Sequence, residues 1–480
     1  MSGGAADGGR PLLTVEQARD QVLAAISGPT PAETIPLRDA LWRVAAAPAT
    51  ARVTLPPWDN SAMDGYALRS ADVALAGEGR PVRLVVVGEA AAGRDATASV
   101  APGTAVRIAT GAPLPLGADA VVPVELTTPI DAAGGLGPRG RDATGPLPAA
   151  CLVHEPVPLG GSIRLAGSDL RAGMVILEAG TVVSPAVISL LAGAGHDRVV
   201  VHRRPRIAVL ATGDEVRAPG EDLGTSGIPD ANGPGLAAAV RAAGAEAIEL
   251  GIAVDLLPVV LERLRAGLAA GVDALLVAGG VSVGPYDVVK AAFGTIGSVD
   301  LWKVSVQPGK PFAFGLVKAH EAAIAGPAAS APTDAPADAP ADAAADAAAD
   351  GTSSRPRPLL FGLPGNPVSG AVTFELFVRP AIRRLAGRRD LVRPTDHAVL
   401  AEPVSKSAGR RGFLRVVVDR DETGLPARDA DGRLTVRLAG GQGSHVLTAL
   451  AAADALAIIP EATDRLPAGA AVDVWWLDQA

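Results

Sequence analysis

The sequence predicts a multi-domain protein of mixed α/β and β architecture, and three observations support this class. The chain has 480 residues, which corresponds to two to four domains of ordinary size. From Arg206 onward, strand-like and helix-like segments alternate, as they do in a doubly wound α/β domain. Short β-type segments broken by Gly and Pro lie on both sides of that region, and they indicate further β-rich units.

The first predicted element is an amphipathic helix that begins after Thr14. Thr14 can cap the helix, and Gln17 lies at the capping-box position. Five apolar residues share one helical face: Val15, Ala18, Val22, Leu23 and Ile26. Gly28 and Pro29 are expected to end the helix.

The next part of the chain is β-rich. VRLVVVGEA, TAVRIATGA and DAVVPVE are short β-type runs within residues 82–126, and they indicate an all-β or α+β module. Residues 128–150 are rich in Pro, Gly and Ala, so a flexible loop is predicted there. After residue 392, HAVLAEPV, GFLRVVVD, RLTVRLA and AVDVWWLD predict a small C-terminal β-barrel or sandwich.

The α/β domain is predicted from RIAVLAT, EAIELGIAV and DALLVA as strands, with GLAAAVRAAG and LPVVLERLRAGLA as the helices between them. This alternation predicts a parallel sheet, and SVDLWKVSV, PFAFGLV and PLLFGLP supply further strands. A low-complexity insert at 319–357 carries an aspartate every fourth residue from Asp334 to Asp350. Such aspartates would repel one another on a helix, so a disordered surface loop is predicted, with an acidic tether as the alternative.

Composition excludes several classes of function. The formal charge of −8 is unfavourable for nucleic-acid binding, which needs many cations against phosphates. Cys151 is the only cysteine, so one chain can form neither a disulfide framework nor a thiolate zinc site. No long uncharged apolar run is present, and the first ten residues lack the apolar core of a signal peptide. We therefore expect a cytoplasmic protein with no membrane span.

Three predicted strands end in unusual loops: GDE, GGVSVGPYD and PGNPVSG. Ligands of open parallel sheets bind beyond the carboxyl ends of the strands, and glycine allows a ligand to approach the backbone closely. In the third loop, Asn366 is a good helix cap and Pro367 suits the first turn. The free N–H groups of that turn favour a phosphate or another oxyanion.

Charged side chains lie near the same strand ends. Asp214, Glu215, Asp255 and Asp287 could share a Mg²⁺ ion that also binds substrate phosphates, although each alone is more often a helix cap. Lys303 and Lys310 flank a rigid QPG turn and suit an anion; the alternative is an exposed turn with solvated lysines. The sequence contains no P-loop, no G-x-G-x-x-G after a strand and no H-E-x-x-H motif.

Taken together, the motifs resemble one family. DNSAMDGYA, RIATGAP, TGDE, GGVSVG, PGKPFAFG, LPGNPVSG and GQGSH occur in that order, and this combination resembles the MoeA family of molybdopterin molybdenumtransferases, which is related to the gephyrin E domain. The resemblance implies four domains and a homodimer whose active site lies between two subunits. It implies an elongated region at 11–51 and 151–203, an inserted module at 52–150, a MogA-like molybdopterin-binding α/β domain at 204–390 and a barrel at 391–480.

The resemblance also implies a reaction. Molybdenum from molybdate would be inserted into adenylylated molybdopterin with release of AMP, assisted by Mg²⁺. Molybdopterin adenylyltransferase and the acceptor enzymes of the cofactor would be partners, and no nucleic-acid partner is expected. Adenylyltransferase activity and a gephyrin-like scaffold role remain alternatives.

The family motifs assign residues residue by residue. Catalytic roles fall to Asp59, Asp169, Glu215, Asp255, Asp287, Lys303 and Lys310, and metal binding falls to Glu215, Asp255 and Asp287. Substrate binding falls to Thr110, Arg164, Thr212, Gly213, Asp214, Gly279, Gly280, Ser282, Gly284, Pro311, Pro364, Gly365, Asn366, Ser369, Arg411, Arg415 and Ser444. The chain departs from the family pattern at Gln307, where relatives often carry lysine, and at Ser168, where an acidic residue is common.

Overall fold

The computed structural model describes residues 12–94, 97–140, 145–280, 288–322 and 356–477. Its architecture confirms the predicted combination of an α/β domain with β-rich units. Within these ranges, no helix has both the length and the apolar character that crossing a bilayer requires.

The N-terminal region is built from short paired strands and two helices. Its elements are α1 (Val15–Ala24), β1 (Ala32–Pro36), β2 (Ala49–Thr50), β10 (Ile163–Arg164), β11 (Val175–Leu177), α2 (Pro185–Gly193) and β12 (Arg198–His202). Strand β1 pairs with β12, and β2 pairs with β11, so the two separate stretches of sequence fold together.

Helix α1 has the predicted capping box between Thr14 and Gln17. The helix ends at Ala24, four residues before Gly28. Val15, Ala18 and Val22 are buried in the apolar core of the α/β domain, together with Phe377 of that domain. The helix, which the sequence predicts to be part of the elongated region, therefore packs its apolar face on the α/β domain.

The inserted module contains β3 (Asn60–Ser61), β4 (Gly65–Leu68), β5 (Val82–Ala90), β6 (Thr104–Ile108), β7 (Ala120–Pro123), β8 (Thr127–Ile130) and β9 (Ala150–Val153). Six of these strands form one sheet in the order β7-β4-β6-β5-β9-β8. Two predictions need correction here. Residues 128–130 are strand and not loop, and β9 carries the module past the predicted boundary at residue 150, because its backbone pairs with β5 and β8.

The α/β domain has a six-stranded sheet in the order β16-β13-β17-β21-β20-β18. Its main strands are β13 (Arg206–Thr212), β16 (Glu246–Ala253), β17 (Ala274–Ala278), β18 (Gly297–Lys303), β20 (Pro311–Val317) and β21 (Leu359–Leu363). The first four strands of that order are parallel, whereas β20 is antiparallel to both of its neighbours. The sheet is therefore mixed and not wholly parallel as predicted.

Helices cover both faces of this sheet. They are α3 (Asn232–Ala242), α4 (Leu257–Ala269), α5 (Val288–Ile296), α7 (Pro367–Thr373) and α8 (Arg379–Leu385), with a π-helical turn Phe374–Val378 between α7 and α8. Side chains of α4 and α5 form one apolar layer with the sheet, and those of α1, α3, α7 and α8 form the other. All five residues of β17 are buried, as expected for a central strand covered on both faces. A short flap, β14 (Val216–Arg217) paired with β15 (Ile228–Pro229), follows β13.

The predicted insert at 319–357 begins with an ordered turn. Helix α6 (Ala319–Ala322) buries Glu321 against Arg265 of α4, where Arg265 Nη2 lies 2.8 Å from Glu321 Oε1. The prediction of a disordered loop is thus wrong for residues 319–322, which form this helix. Residues 323–355, including all five spaced aspartates, lie outside the described residues.

The C-terminal domain is a closed five-stranded barrel. Its elements are β22 (Thr395–Leu400), β23 (Val404–Ser405), β24 (Arg411–Val418), β25 (Leu434–Leu438), α9 (Leu447–Ala451), β26 (Ala455–Ile459), β27 (Arg465–Leu466) and β28 (Ala471–Trp476). Pairing between β24 and β26 closes the ring β24-β25-β22-β28-β26. A two-residue strand β19 (Val306–Gln307) joins its edge from the α/β domain, next to Arg411.

Candidate active site

The motifs of the α/β domain meet at one edge of its sheet. The parallel strands β13, β16, β17 and β21 all end there. Strand β18 runs in the same direction, since it is antiparallel to β20, so Lys303 at its end lies opposite Pro311 at the start of β20. This convergence follows from the topology, because carboxyl ends of parallel strands share an edge.

A cavity of about 550 Å³ opens at this edge. Its volume lies in the range of about 300–1,000 Å³ that is usual for small-molecule sites. The predicted residues that line it are Thr212, Glu215, Gly280, Pro311, Pro364, Gly365 and Asn366. Asn366 occupies the N-cap position of α7, but its side chain makes no capping hydrogen bond, which leaves its amide for the cavity.

Two glycines let the β17 loop approach the β13 loop. Gly279 has φ +102°, and a Cβ there would lie 2.6 Å from the carbonyl oxygen of Thr212. Gly280 has φ +61°, and a Cβ there would lie 2.4 Å from a methyl group of Val289. The Oγ1 atom of Thr212 is buried without a hydrogen-bond partner among the described residues. A buried hydroxyl at a cavity wall is a ready partner for a ligand oxygen.

Three carboxylates cluster beside the cavity. Asp214 accepts a hydrogen bond from the backbone N–H of Asp255 at 2.9 Å. Burial, followed by the negative charges of Asp214 and Glu215, raises the pKa of Asp255 above its usual value. Carboxylate oxygens are the donor type that hard divalent cations such as Mg²⁺ prefer.

The predicted metal ligand Asp287 lies outside the described residues, as do the predicted substrate-binding residues Ser282 and Gly284. In the described part of the chain, no group of three or more His, Cys, Asp or Glu side chains is arranged to hold a metal ion.

A second corner of the site forms where α7 meets the barrel. The backbone N–H of Val368 donates to the carbonyl of Ser444 at 3.1 Å, which brings PVSG and GQGS together. Ser369 is buried, and its carbonyl lies 3.4 Å from the position of a Cβ on Gly309, in the QPGKP turn. The structure therefore assembles Ser369, Ser444 and the loop that carries Lys310.

Arg415 lies behind this corner. Its side chain is fully buried, and Nη2 donates to the carbonyls of Gly441 and Gly443 at 3.3 and 3.2 Å. Its Nε and Nη1 atoms have no hydrogen-bond partner among the described residues. Gln442 fixes the same loop, because its Oε1 accepts from the backbone N–H of Arg415 at 2.9 Å. Arg415 thus supports the GQGS loop with a buried positive charge.

Arg411, which is predicted to bind substrate, is engaged by two carboxylates. It forms ion pairs with Glu16 of α1 and with Glu461, the latter at 2.9 Å. Two carboxylates neutralise its charge, so it joins α1 to the barrel and has little positive potential left for an anion.

The four predicted residues of the N-terminal part form a separate exposed cluster. Asp59 accepts from the backbone N–H of Ala166 at 2.7 Å, next to Arg164 and Asp169. The Oγ1 of Thr110 donates to Asp64 at 2.9 Å in the same motif. None of these residues lines the cavity of their own chain.

Two residues that the sequence analysis missed line the cavity: Asp230 and Asn232. Asp230 is buried, and its carboxylate accepts from the backbone N–H of Gly233 at the start of α3. Asn232 donates from Nδ2 to the carbonyl of Gly365 at 2.7 Å and so holds the PGNP loop. The short segment IPDAN at the start of α3 could have indicated both residues, but it contains no cluster of charged residues.

Comparison with known families covers almost the whole chain. Residues 13–195 match the model of the MoeA N-terminal region (domain I and II). Residues 208–384 match a probable molybdopterin binding domain, and residues 397–477 match the MoeA C-terminal region (domain IV).

Relatives and solved structures agree with these matches. Molybdopterin molybdenumtransferase 2 of Mycobacterium tuberculosis is 35% identical over 92% of this chain and 94% of its own length. The molybdopterin molybdenumtransferase of Haemophilus influenzae is 30% identical over 96% and 98%. The molybdopterin biosynthesis MoeA protein from Pyrococcus horikoshii superposes with a TM-score of 0.70 and 27% identity, covering 97% of this chain and 99% of that one.

Proposed function

Because the chain belongs to the MoeA family, we propose that it is a molybdopterin molybdenumtransferase that inserts molybdenum from molybdate into adenylylated molybdopterin and releases AMP. The observation that carries the proposal is the convergence of the family motifs on one sheet edge. A nucleotide-sized cavity, a carboxylate cluster and a hydroxyl-rich corner lie side by side there.

The cavity is the proposed site for the phosphates and the nucleotide. Gly280, Gly365 and Asn366 offer backbone and amide groups along its wall. The unpaired hydroxyl of Thr212 supplies a further donor at the base. Backbone approach at the glycines replaces the P-loop that the sequence lacks.

Glu215 and Asp255 would hold Mg²⁺ beside the phosphates, together with Asp287. The ion would neutralise phosphate charge as the adenylyl group leaves. Asp214 fixes the backbone of Asp255 and thereby positions its carboxylate. Mg²⁺ usually keeps several waters and uses one or two protein carboxylates, which fits this small described set.

The molybdate corner is proposed at Ser369 and Ser444. A tetrahedral oxyanion there would accept hydrogen bonds from both hydroxyls and from the exposed Lys310. The buried charge of Arg415 favours an anion on the other side of the GQGS loop, and its contacts with that loop hold Ser444 in place. Arg415 is thus a positioning residue in this proposal.

A homodimer would complete the site. Asp59, Thr110, Arg164 and Asp169 form an exposed polar cluster beside Trp58, whose side chain is also exposed. Such a cluster gains a role when the α/β domain of a second copy covers it. The proposal includes a cytoplasmic location, with an adenylyltransferase before this step and acceptor enzymes after it.

The dimer can be tested by complementation. Asp59→Asn and Glu215→Gln each inactivate a homodimer, but a mixed dimer regains one site made of two unaltered halves. With random 1:1 mixing and refolding, half of the dimers are mixed, so about a quarter of all sites are active. Activity that stays at the level of the two separate variants would refute the shared site.

The competing functions make different predictions. An adenylyltransferase would form adenylylated molybdopterin from molybdopterin and ATP, yet the matched N-terminal and C-terminal regions are those of MoeA proteins. A scaffold would need no carboxylate cluster. Formation of the adenylylated pterin by the chain alone would replace the proposal with the first alternative.

The direct test supplies the purified chain with adenylylated molybdopterin, Mg²⁺ and molybdate, and measures AMP release. Ser369→Ala should raise the molybdate concentration for half-maximal release about 10- to 100-fold, since a hydrogen bond to a charged group contributes about 1.5–3 kcal/mol. Ser189→Ala, on exposed α2, is the matched control. Unchanged molybdate dependence in Ser369→Ala would remove this residue from the proposed pocket.

A further inference from the structure

A second cavity, of about 430 Å³, lies behind the candidate active site. Helix α3, the helix that begins at Pro367, α9 and Leu477 form its walls. Small residues on α3, among them Ala238, Ala239 and Ala242, leave the space open. The cavity shares Ala231, Asn232, Pro367 and Leu447 with the first one, so the two cavities are neighbours.

One end of this apolar cavity is charged. Arg393 and Arg379 both line it, and so does Glu375. Arg393 donates to both carboxylate oxygens of Glu375, at 2.6 and 3.1 Å, and to the carbonyl of Trp476 at 2.8 Å. The carboxylate of Glu375 is therefore already engaged by Arg393.

Arg379 has a much weaker arrangement. Its side chain is 7% exposed, and its Nε atom lies 3.6 Å from Oε2 of Glu375, beyond hydrogen-bond range. Arg383 and Arg388 lie near, while Asp390 pairs with both of them. The group thus contains four guanidinium groups against two carboxylates, and the excess of positive charge includes Arg379.

Burial, together with the charges of Arg393, Arg383 and Arg388, lowers the pKa of Arg379 to about 10 against the opposing effect of Glu375. The guanidinium still carries its charge at neutral pH. A buried charge without a close partner is costly unless an anion joins it.

We propose that this cavity binds a small amphiphilic carboxylate, with its carboxylate on Arg379 and its hydrocarbon chain along the alanine face of α3. A planar carboxylate matches the guanidinium fork with two hydrogen bonds. A phosphate is less suitable, because the carboxylate of Glu375 lies at the same charged end and Asn232 is the one uncharged polar side chain among the described lining residues. The charged end of the site, at Arg379, Arg393 and Glu375, is not part of the first cavity, and its test needs no enzyme activity.

The test titrates the full-length protein with sodium octanoate by calorimetry. Binding with a Kd below about 1 mM is expected, with a 1:1 ratio. Arg379→Met should weaken binding by about 10- to 100-fold, as expected for the loss of a charge-assisted hydrogen-bond pair. Arg384→Met is the matched control on the exposed side of α8 and should bind octanoate like the unaltered chain.

A second variant and two competitors keep the test decisive if Arg379→Met fails to fold. Ala239→Leu fills the apolar part of the cavity and should abolish binding while leaving the charges in place. Neutral 1-octanol should bind at least tenfold more weakly than octanoate. Equal binding of octanol, unchanged binding in Ala239→Leu, or displacement of octanoate by AMP would each overturn the proposal, the last by showing that the cavity belongs to the substrate site.

Discussion

Replacing Gly279 with alanine tests whether the β17 loop approaches the β13 loop as closely as the structure places it. The residue has φ +102°, where a side chain costs about 1–2 kcal/mol by itself. A Cβ would also lie 2.6 Å from the backbone oxygen and 2.8 Å from Oγ1 of Thr212. Forced overpacking of this kind costs about another 1–3 kcal/mol, so Gly279→Ala should cost about 2–5 kcal/mol in total.

Gly244→Ala separates the two contributions. Gly244 has a similar φ of +97°, but a Cβ there would meet no atom within 4 Å. This control should therefore show the backbone cost alone, about 1–2 kcal/mol. For a domain of this size, 1 kcal/mol corresponds to about 2–4 °C in Tm, so Gly279→Ala should melt several degrees below Gly244→Ala.

The assay is thermal unfolding of both variants, followed by AMP titration at a temperature where each is folded. Gly279→Ala should also bind AMP more weakly, because the clash moves the wall of the cavity, whereas Gly244→Ala should bind AMP normally. Equal Tm values for the two variants would show that the loops are farther apart than the structure places them.

Three further predictions concern charged residues. Burial and neighbouring carboxylates raise the pKa of Asp255, so its ionisation destabilises the folded protein as the pH rises above the usual aspartate pKa. Asp255→Asn should therefore raise the Tm of the metal-free protein at pH 7 and make the Tm less dependent on pH. A lower Tm of this variant in a thermal scan would contradict the prediction. Arg411→Met should lower the Tm by a few degrees, because it breaks partly buried ion pairs, and it should leave the molybdate dependence of AMP release unchanged. An unchanged Tm with an altered molybdate dependence would support a role of Arg411 in substrate binding. Arg415→Lys keeps a positive charge but loses the guanidinium group that donates to two carbonyls of the GQGS loop. The molybdate concentration for half-maximal AMP release should therefore rise at least tenfold. An unchanged value would show that the loop does not depend on the guanidinium group.

The local elements of the α/β domain could be predicted because short-range physics decides them. The all-buried run of β17 and the capping box of α1 are both visible as residue patterns. The loops after the parallel strands were also predictable as site elements, since glycine and polar residues at a strand end have few other uses. The direction in which strands pair was harder to predict. The antiparallel pairing of β20 depends on how the chain crosses the sheet, and no local residue pattern indicates that path.

Two predicted site arginines acquire different surroundings when the chain folds. Arg411 and Arg415 are four residues apart on one strand and look equivalent in sequence. In the folded chain, Glu16 and Glu461 neutralise Arg411. Arg415 is buried behind the GQGS loop, and its Nε and Nη1 atoms have no hydrogen-bond partner among the described residues. A charge acquires its role from partners that are far away along the chain.

By itself, the sequence determined the fold class, the order of the motifs and the family to which they belong, because each depends on residue types at close spacing. Tertiary structure alone decided that α1 packs its apolar face against the α/β domain and that Asn232 holds the PGNP loop. It also decided that Arg379 and Arg393 share the carboxylate of Glu375 at the end of an apolar cavity. Packing and charge compensation join residues separated by tens to hundreds of positions, and these contacts exist only once the chain has folded.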